Sequence, residues 1–111
     1  AIARTLGRRP KREFIHVDDL ASACVFLMNH YESPEIINVG TGEDIAISEF
    51  AEMVKKIVGF DGTVAWDANK PNGTLQKVLD VSKLRALKFR HEISLVEGIK
   101  KTYGWYLENR A

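Results

Sequence analysis

One cysteine in 111 residues leaves the chain without an internal disulfide framework, and no second thiol is present for a cysteine-based zinc site. No apolar run approaches the roughly 20 residues that a membrane span needs, and no stretch reads as a signal or transit peptide. Low-complexity tracts and internal repeats are absent as well. The first twelve positions contain no acidic residue. What remains is a chain that is 45% hydrophobic, too apolar for intrinsic disorder and long enough to bury a core. A single soluble domain of a reducing, cytoplasmic compartment is expected. The chain begins at Ala1 rather than Met, which points to an excised or processed piece.

The net charge of +1 hides an asymmetry. Arg4, Arg8, Arg9, Lys11 and Arg12 crowd the first twelve residues, leaving 11 basic against 15 acidic residues in the rest. Residues 1–12 therefore read as a basic arm or linker and residues 13–111 as a mildly acidic body. The arm lacks interleaved aromatics and the body lacks a basic stripe, so nucleic acid is not the expected partner. One or two such cations suffice for a phosphate-bearing small molecule.

Periodicity divides the body into alternating elements. Glu13–Val17 is β-rich, and Asp18-Asp19 stand where a helix cap is expected before Leu20, Ala23, Cys24, Leu27, Met28 and Tyr31 at helical spacing. Glu35–Val39 predicts a second strand, closed by Gly40-Thr41-Gly42. Ser48 can cap a helix carrying Phe50, Ala51, Val54, Ile57 and Val58, with Gly59 supplying the left-handed terminus. Thr63–Trp66 predicts a third strand, Asp67–Lys77 a polar loop and Val78–Val81 an extended stretch. One or two helical turns over Ser82–Leu87 follow. A last helix opens on the capping box of Ser94 and Glu97 and runs through Val96, Ile99, Tyr103 and Tyr106. Few short strands alternating with three main helices imply an α/β fold. Strands so few leave exposed edges, which invite a larger sheet or self-association.

The residues that could carry chemistry are sparse. Arg12 and Lys77 stand at element ends, where a cation can meet a phosphate, although a solvated surface charge is the simpler account of either alone. Asp18-Asp19 fit a helix cap better than a metal site. His16 fits a packed, hydrogen-bonded strand position better than a base, since no nucleophile accompanies it. Gly40-Thr41-Gly42 is half of a nucleotide fingerprint, lacking the third glycine and the immediate helix. Cys24 reads as a small core residue.

Several segments resemble a known family. Arg12-Glu13-Phe14-Ile15-His16-Val17-Asp18-Asp19-Leu20-Ala21 is similar to a strand-to-helix signature in the carboxyl half of extended short-chain dehydrogenase/reductases acting on nucleotide sugars, and Ile37–Gly42 to their next strand. Trp66–Thr74 with Lys77–Leu84 resembles a loop and helix of the GDP-L-fucose synthases, and Glu92–Leu95 with Thr102–Trp105 their final helix. The family's Asp, Pro and Arg in that loop are Asn72, Leu75 and Gln76 here, and its Leu-Gly-Trp is Leu87-Lys88-Phe89.

The resemblance implies the C-terminal, substrate-binding part of a Rossmann-type fold. It implies a whole enzyme that epimerises and reduces GDP-4-keto-6-deoxymannose to GDP-L-fucose with NADP(H). Arg12 and Lys77 match the family's substrate-side cations. The cofactor loop, the Tyr-x-x-x-Lys pair and the acid/base Cys and His are not in this chain, and neither Cys24 nor His16 matches them. No catalytic, cofactor-binding or metal-binding residue is therefore assigned, and the chain alone is expected to be inactive without bound cofactor. The alternatives are the same domain of another nucleotide-sugar epimerase or dehydratase, or a non-catalytic binding module.

Overall fold

Lys11 and Arg12 sit in the middle of the only sheet among the described residues. A computed structural model describes residues 10–66 and 74–110. Strand β1 (Lys11–Arg12) pairs antiparallel with β2 (Ile45–Ala46) and parallel with β3 (Gln76–Lys77), giving the order β2-β1-β3. Flanking bonds from Lys11 N–H to Leu75 O (2.8 Å) and from Ile47 N–H to Pro10 O (2.9 Å) extend both ladders by one contact. Of the basic arm expected over residues 1–12, residues 1–9 lie outside the described residues, and Lys11–Arg12 form this central strand.

The strands expected at Glu13–Val17, Glu35–Val39 and Thr63–Trp66 do not form ladders among the described residues. β-Branched and aromatic composition favours extended backbone. A strand, however, exists only where a neighbour takes its N–H and C=O groups. Val78–Val81 is likewise outside any ladder, and most of the Asp67–Lys77 loop, residues 67–73, lies outside the described residues.

Four helices follow the expected periodicity more closely. Helix α1 (Val17–His30) is capped by His16, whose Nδ1 accepts from Asp18 N–H at 3.0 Å. The cap expected at Asp18-Asp19 is thus one turn too late. Asp19 is instead buried and accepts from the backbone N–H groups of Glu92 (3.0 Å) and Ile93 (2.9 Å). This carboxylate fixes the start of α1 to the approach of the last helix. His16 is packed and hydrogen-bonded as expected, but from a capping position rather than a strand.

Helix α2 (Ile47–Val58) begins at Ala46 without a side-chain cap, so Ser48 does not serve that role. It ends at Gly59 with φ 76°, the left-handed terminus expected of a glycine. Helix α3 (Ser82–Ala86) is short, and α4 (Leu95–Asn109) starts at Ser94, whose Oγ accepts from Glu97 N–H at 3.2 Å. Helices α2 and α4 pack together. Gly98 of α4 lies under the His16 ring, where an added Cβ would approach the His16 Cβ to 3.4 Å.

Two local features carry predictions. Lys88, just after α3, has φ 68°, a left-handed conformation that costs a residue with a Cβ about 1–2 kcal/mol. It stands where the similar family has glycine. Lys88→Gly is expected to raise stability by about 1 kcal/mol, read as a higher unfolding midpoint; a lower midpoint would contradict this. Ahead of α3, Asp80 Oδ1 accepts from Ser82 N–H at 2.9 Å, and this bond holds the Asp80 carboxyl below the usual carboxylate range. A lowered folded-state value means the contribution is present above the ordinary carboxylate value and is lost as pH falls through the folded one. A carboxyl-resolved NMR titration should therefore place Asp80 below the ordinary aspartate value, and a midpoint at or above that value would refute the bond.

The hydrophobic core is small. Among the described residues the buried apolar side chains of the core are Ala23, Val81 and Leu84, and Pro10 is fully buried as well. Half of the stripe expected to face inward on α1 is open to solvent: Leu20 is 40% and Met28 83% exposed, and Cys24 is also exposed. On α4, Trp105 and Tyr106 are more than half exposed. The radius of gyration, 16.5 Å, exceeds the roughly 13 Å of a compact chain this long.

Candidate anion site and its carboxylate clip

The parallel register of β1 and β3 sets Arg12 directly beside Lys77. Register partners on neighbouring strands, about 4.8 Å apart, present their side chains on one face of the sheet. The two cations singled out from the sequence, far apart in the chain, are thus brought together. Arg12 Nη1 donates to the carbonyls of Lys11 (2.8 Å) and Thr74 (2.7 Å), which fixes the guanidinium over the return of the chain into β3. Lys77 is exposed. Among the described residues neither cation is ion-paired with a carboxylate. Like charges placed opposite each other on a sheet are destabilising, and among the described residues no carboxylate offsets this pair.

Gly40-Thr41-Gly42 offers no second anion site. Its amides are already answered by the protein itself: Gly42 N–H donates to Glu13 Oε2 at 2.5 Å, and Glu43 N–H to Thr41 Oγ1 at 3.2 Å. Thr41 Oγ1 also donates toward Glu13 Oε2 (3.3 Å), and Arg85 Nη2 donates to Thr41 O (3.0 Å). Gly42 has φ 75°, and a Cβ there would lie 2.8 Å from Val81 Cγ2, so glycine serves tight packing at this turn. The half-fingerprint is a packing turn held by the Glu13 carboxylate rather than the end of a strand. This turn therefore does not fit the phosphates of a dinucleotide, because it already holds the Glu13 carboxylate.

Glu13 was not separable from Arg12 in the sequence, yet it is the more connected residue. Its Oε1 accepts from Leu79 N–H at 3.0 Å while its Oε2 holds the turn at Thr41 and Gly42. A Cβ on Gly40 would lie 2.6 Å from Oε2. Only the Arg-Glu order ahead of Phe14 hinted at such a role, and its partners lie 28 to 66 positions away.

A groove of about 800 Å³ opens between α2 and α4, lined by Phe14, His16, Phe50, Val54, Ile99 and Tyr106 among others. Phe14 stacks on Phe50 at 4.1 Å between ring centroids along its wall. Neither Arg12 nor Lys77 lines it, and its walls are those of an incompletely covered core rather than of an anion site. No cluster of three or more metal-ligating side chains occurs among the described residues, and no described helix is long and apolar enough to cross a membrane.

Known proteins give these observations a frame. Residues 4–40 match the NAD dependent epimerase/dehydratase family. The chain is 51% identical over 100 residues to GDP-L-fucose synthase 1 of Arabidopsis thaliana, covering 90% of this chain and 31% of that protein. It is 46% identical over 110 residues to GDP-L-fucose synthase of Escherichia coli, covering 91% of this chain and 34% of the relative. Among solved structures, a GDP-L-fucose synthetase from Naegleria fowleri bound to NADP superposes with a TM-score of 0.89 at 27% identity, over 97% of this chain and 34% of that one. The chain thus spans about a third of the proteins it matches. The α/β fold expected from the alternating elements, and the Rossmann-type fold that the resemblance implies, agree with these relatives. In sequence and in fold the chain is similar to about one third of the length of GDP-L-fucose synthases, with residues 4–40 matching the NAD dependent epimerase/dehydratase family.

Proposed function

We propose that this chain is the substrate-binding part of an NADP-dependent epimerase/reductase that converts GDP-4-keto-6-deoxymannose into GDP-L-fucose. The observation that carries the proposal is the in-register pair Arg12 and Lys77, two cations side by side with no carboxylate to neutralise them among the described residues. A nucleoside diphosphate supplies the missing charge. Arg12 offers a planar fork already oriented by two carbonyls, and Lys77 a mobile point charge beside it. Their work is to bind and orient the sugar nucleotide so that its ketone faces the rest of the enzyme. NADP(H), when bound, supplies the hydride, and the described residues take no part in holding it. Residues 13–111 form the substrate-binding unit, with the preceding basic arm contributing its last two residues to the sheet. A cytoplasmic setting and association through uncovered strand edges belong to the same reading.

The complete protein carrying this segment, given GDP-4-keto-6-deoxymannose and NADPH, should oxidise NADPH and yield GDP-L-fucose identified by NMR. Turnover of a UDP-sugar instead, with the GDP-sugar ignored, would overturn the substrate assignment.

A further inference from the structure

The ladder between β1 and β3 stops at Arg12 and Lys77, but the two segments remain joined beyond it. The residue after Arg12 is Glu13, and its Oε1 takes the N–H of Leu79, two residues past Lys77, at 3.0 Å. A side-chain oxygen thus stands where the next ladder carbonyl would. Its other oxygen takes Gly42 N–H and faces Thr41 Oγ1, so one carboxylate ties three segments together beside the cation pair. Its charge is satisfied by hydrogen-bond donors, and it is not ion-paired with Arg12 or Lys77. It therefore sets the geometry of the two cations without neutralising them.

We propose that Glu13 is the positioning residue of the anion site, clipping the strands so that Arg12 and Lys77 converge on one diphosphate. The proposal rests on the reading of Arg12 and Lys77 as substrate cations and adds the group that acts through them. Glutamine at position 13 keeps the shape but turns an amide N–H₂ toward one of the donors, leaving that donor without an acceptor. Aspartate keeps the charge but is too short to span both Leu79 and Gly42.

The test is the affinity of the complete protein for GDP and for NADPH, measured by titration calorimetry on Glu13→Gln, Glu13→Asp, the Arg12→Ala/Lys77→Ala double variant, and that double variant carrying Glu13→Gln. A double-mutant comparison separates action through the cations from general loosening of the fold. Glu13→Gln is expected to weaken GDP binding about tenfold, which corresponds to about 1.4 kcal/mol, with NADPH affinity unchanged. In the background lacking both cations the same substitution should change GDP affinity less than twofold. Glu13→Asp should repeat the loss, and it serves as the folded variant if Glu13→Gln loses NADPH binding as well. Unchanged GDP affinity in both Glu13 variants overturns the inference, as does an equal loss with and without the cations. If the double alanine variant itself binds GDP normally, the reading of the cation pair falls and this inference with it. If only the cation variants weaken, the inference alone falls.

Discussion

Replacing Arg12 or Lys77 by alanine in the complete protein is expected to weaken binding of the GDP-sugar about tenfold or more. A charge-assisted hydrogen bond to a phosphate contributes about 1.5–3 kcal/mol once water is displaced, and each 1.4 kcal/mol is about a factor of ten. The effect should exceed that of an ordinary surface cation because the pair has no carboxylate to fall back on among the described residues. Affinity for NADPH should hardly change, since the proposed reading places the cofactor outside this segment. Arg12→Ala also removes the bonds to Lys11 O and Thr74 O, so its cost should include some loosening of the return into β3. Lys77→Arg should be milder than Lys77→Ala without being neutral, because a fork replaces a point charge. Titration of both ligands against each variant checks this. Unchanged substrate affinity, or equal loss for both ligands, would refute the assignment.

The 111-residue chain by itself is expected to show no NADPH-dependent reduction, a complete loss relative to the whole enzyme. The sequence contains neither a glycine-rich dinucleotide loop nor a Tyr-x-x-x-Lys pair. Its one glycine-rich turn is closed by Glu13. The same chain should associate at micromolar concentration, because Val17, Val25 and Met28 on α1 and Trp105 on α4 are all more than half exposed. Uncovered apolar surface of this extent seeks another surface. Spectrophotometric assay and sedimentation at several concentrations test the two halves. Measurable turnover by the chain alone would sink the first, and a concentration-independent monomer the second.

Local signals proved legible in the sequence and long-range ones did not. Gly59 ends α2 and Ser94 caps α4 because both roles need only a residue and its neighbours three or four positions away. The strands at Glu13–Val17, Glu35–Val39 and Thr63–Trp66 were misplaced because a ladder depends on a partner that local composition does not reveal. The strands among the described residues are two residues each, and β1 and β3 carry only Lys, Arg and Gln, the opposite of a β-rich pattern, while β2 is Ile45–Ala46. His16 escaped notice as a cap since imidazole is not among the usual capping groups. Asp19 and Glu13 act on backbone groups 73 and 66 positions away, so no spacing rule could place them. The pairing of Arg12 with Lys77 came from family resemblance for the residues and from the sheet register for their adjacency.

The parallel pairing of β1 with β3 has a kinetic consequence. Only two residues of each strand meet, yet they close more than sixty residues of intervening chain. Closing such a loop is entropically unfavourable before any contact compensates it, and contacts of long sequence separation slow folding. The pairing of Arg12 with Lys77 is therefore expected to form later than the local turns of the helices, an order that φ-value measurements would check. A diphosphate that binds only the joined strands pulls that step forward by mass action. At one hundred times its Kd it would add about 2.7 kcal/mol to the folded state, which would make the proposed ligand a fastener of the chain as well.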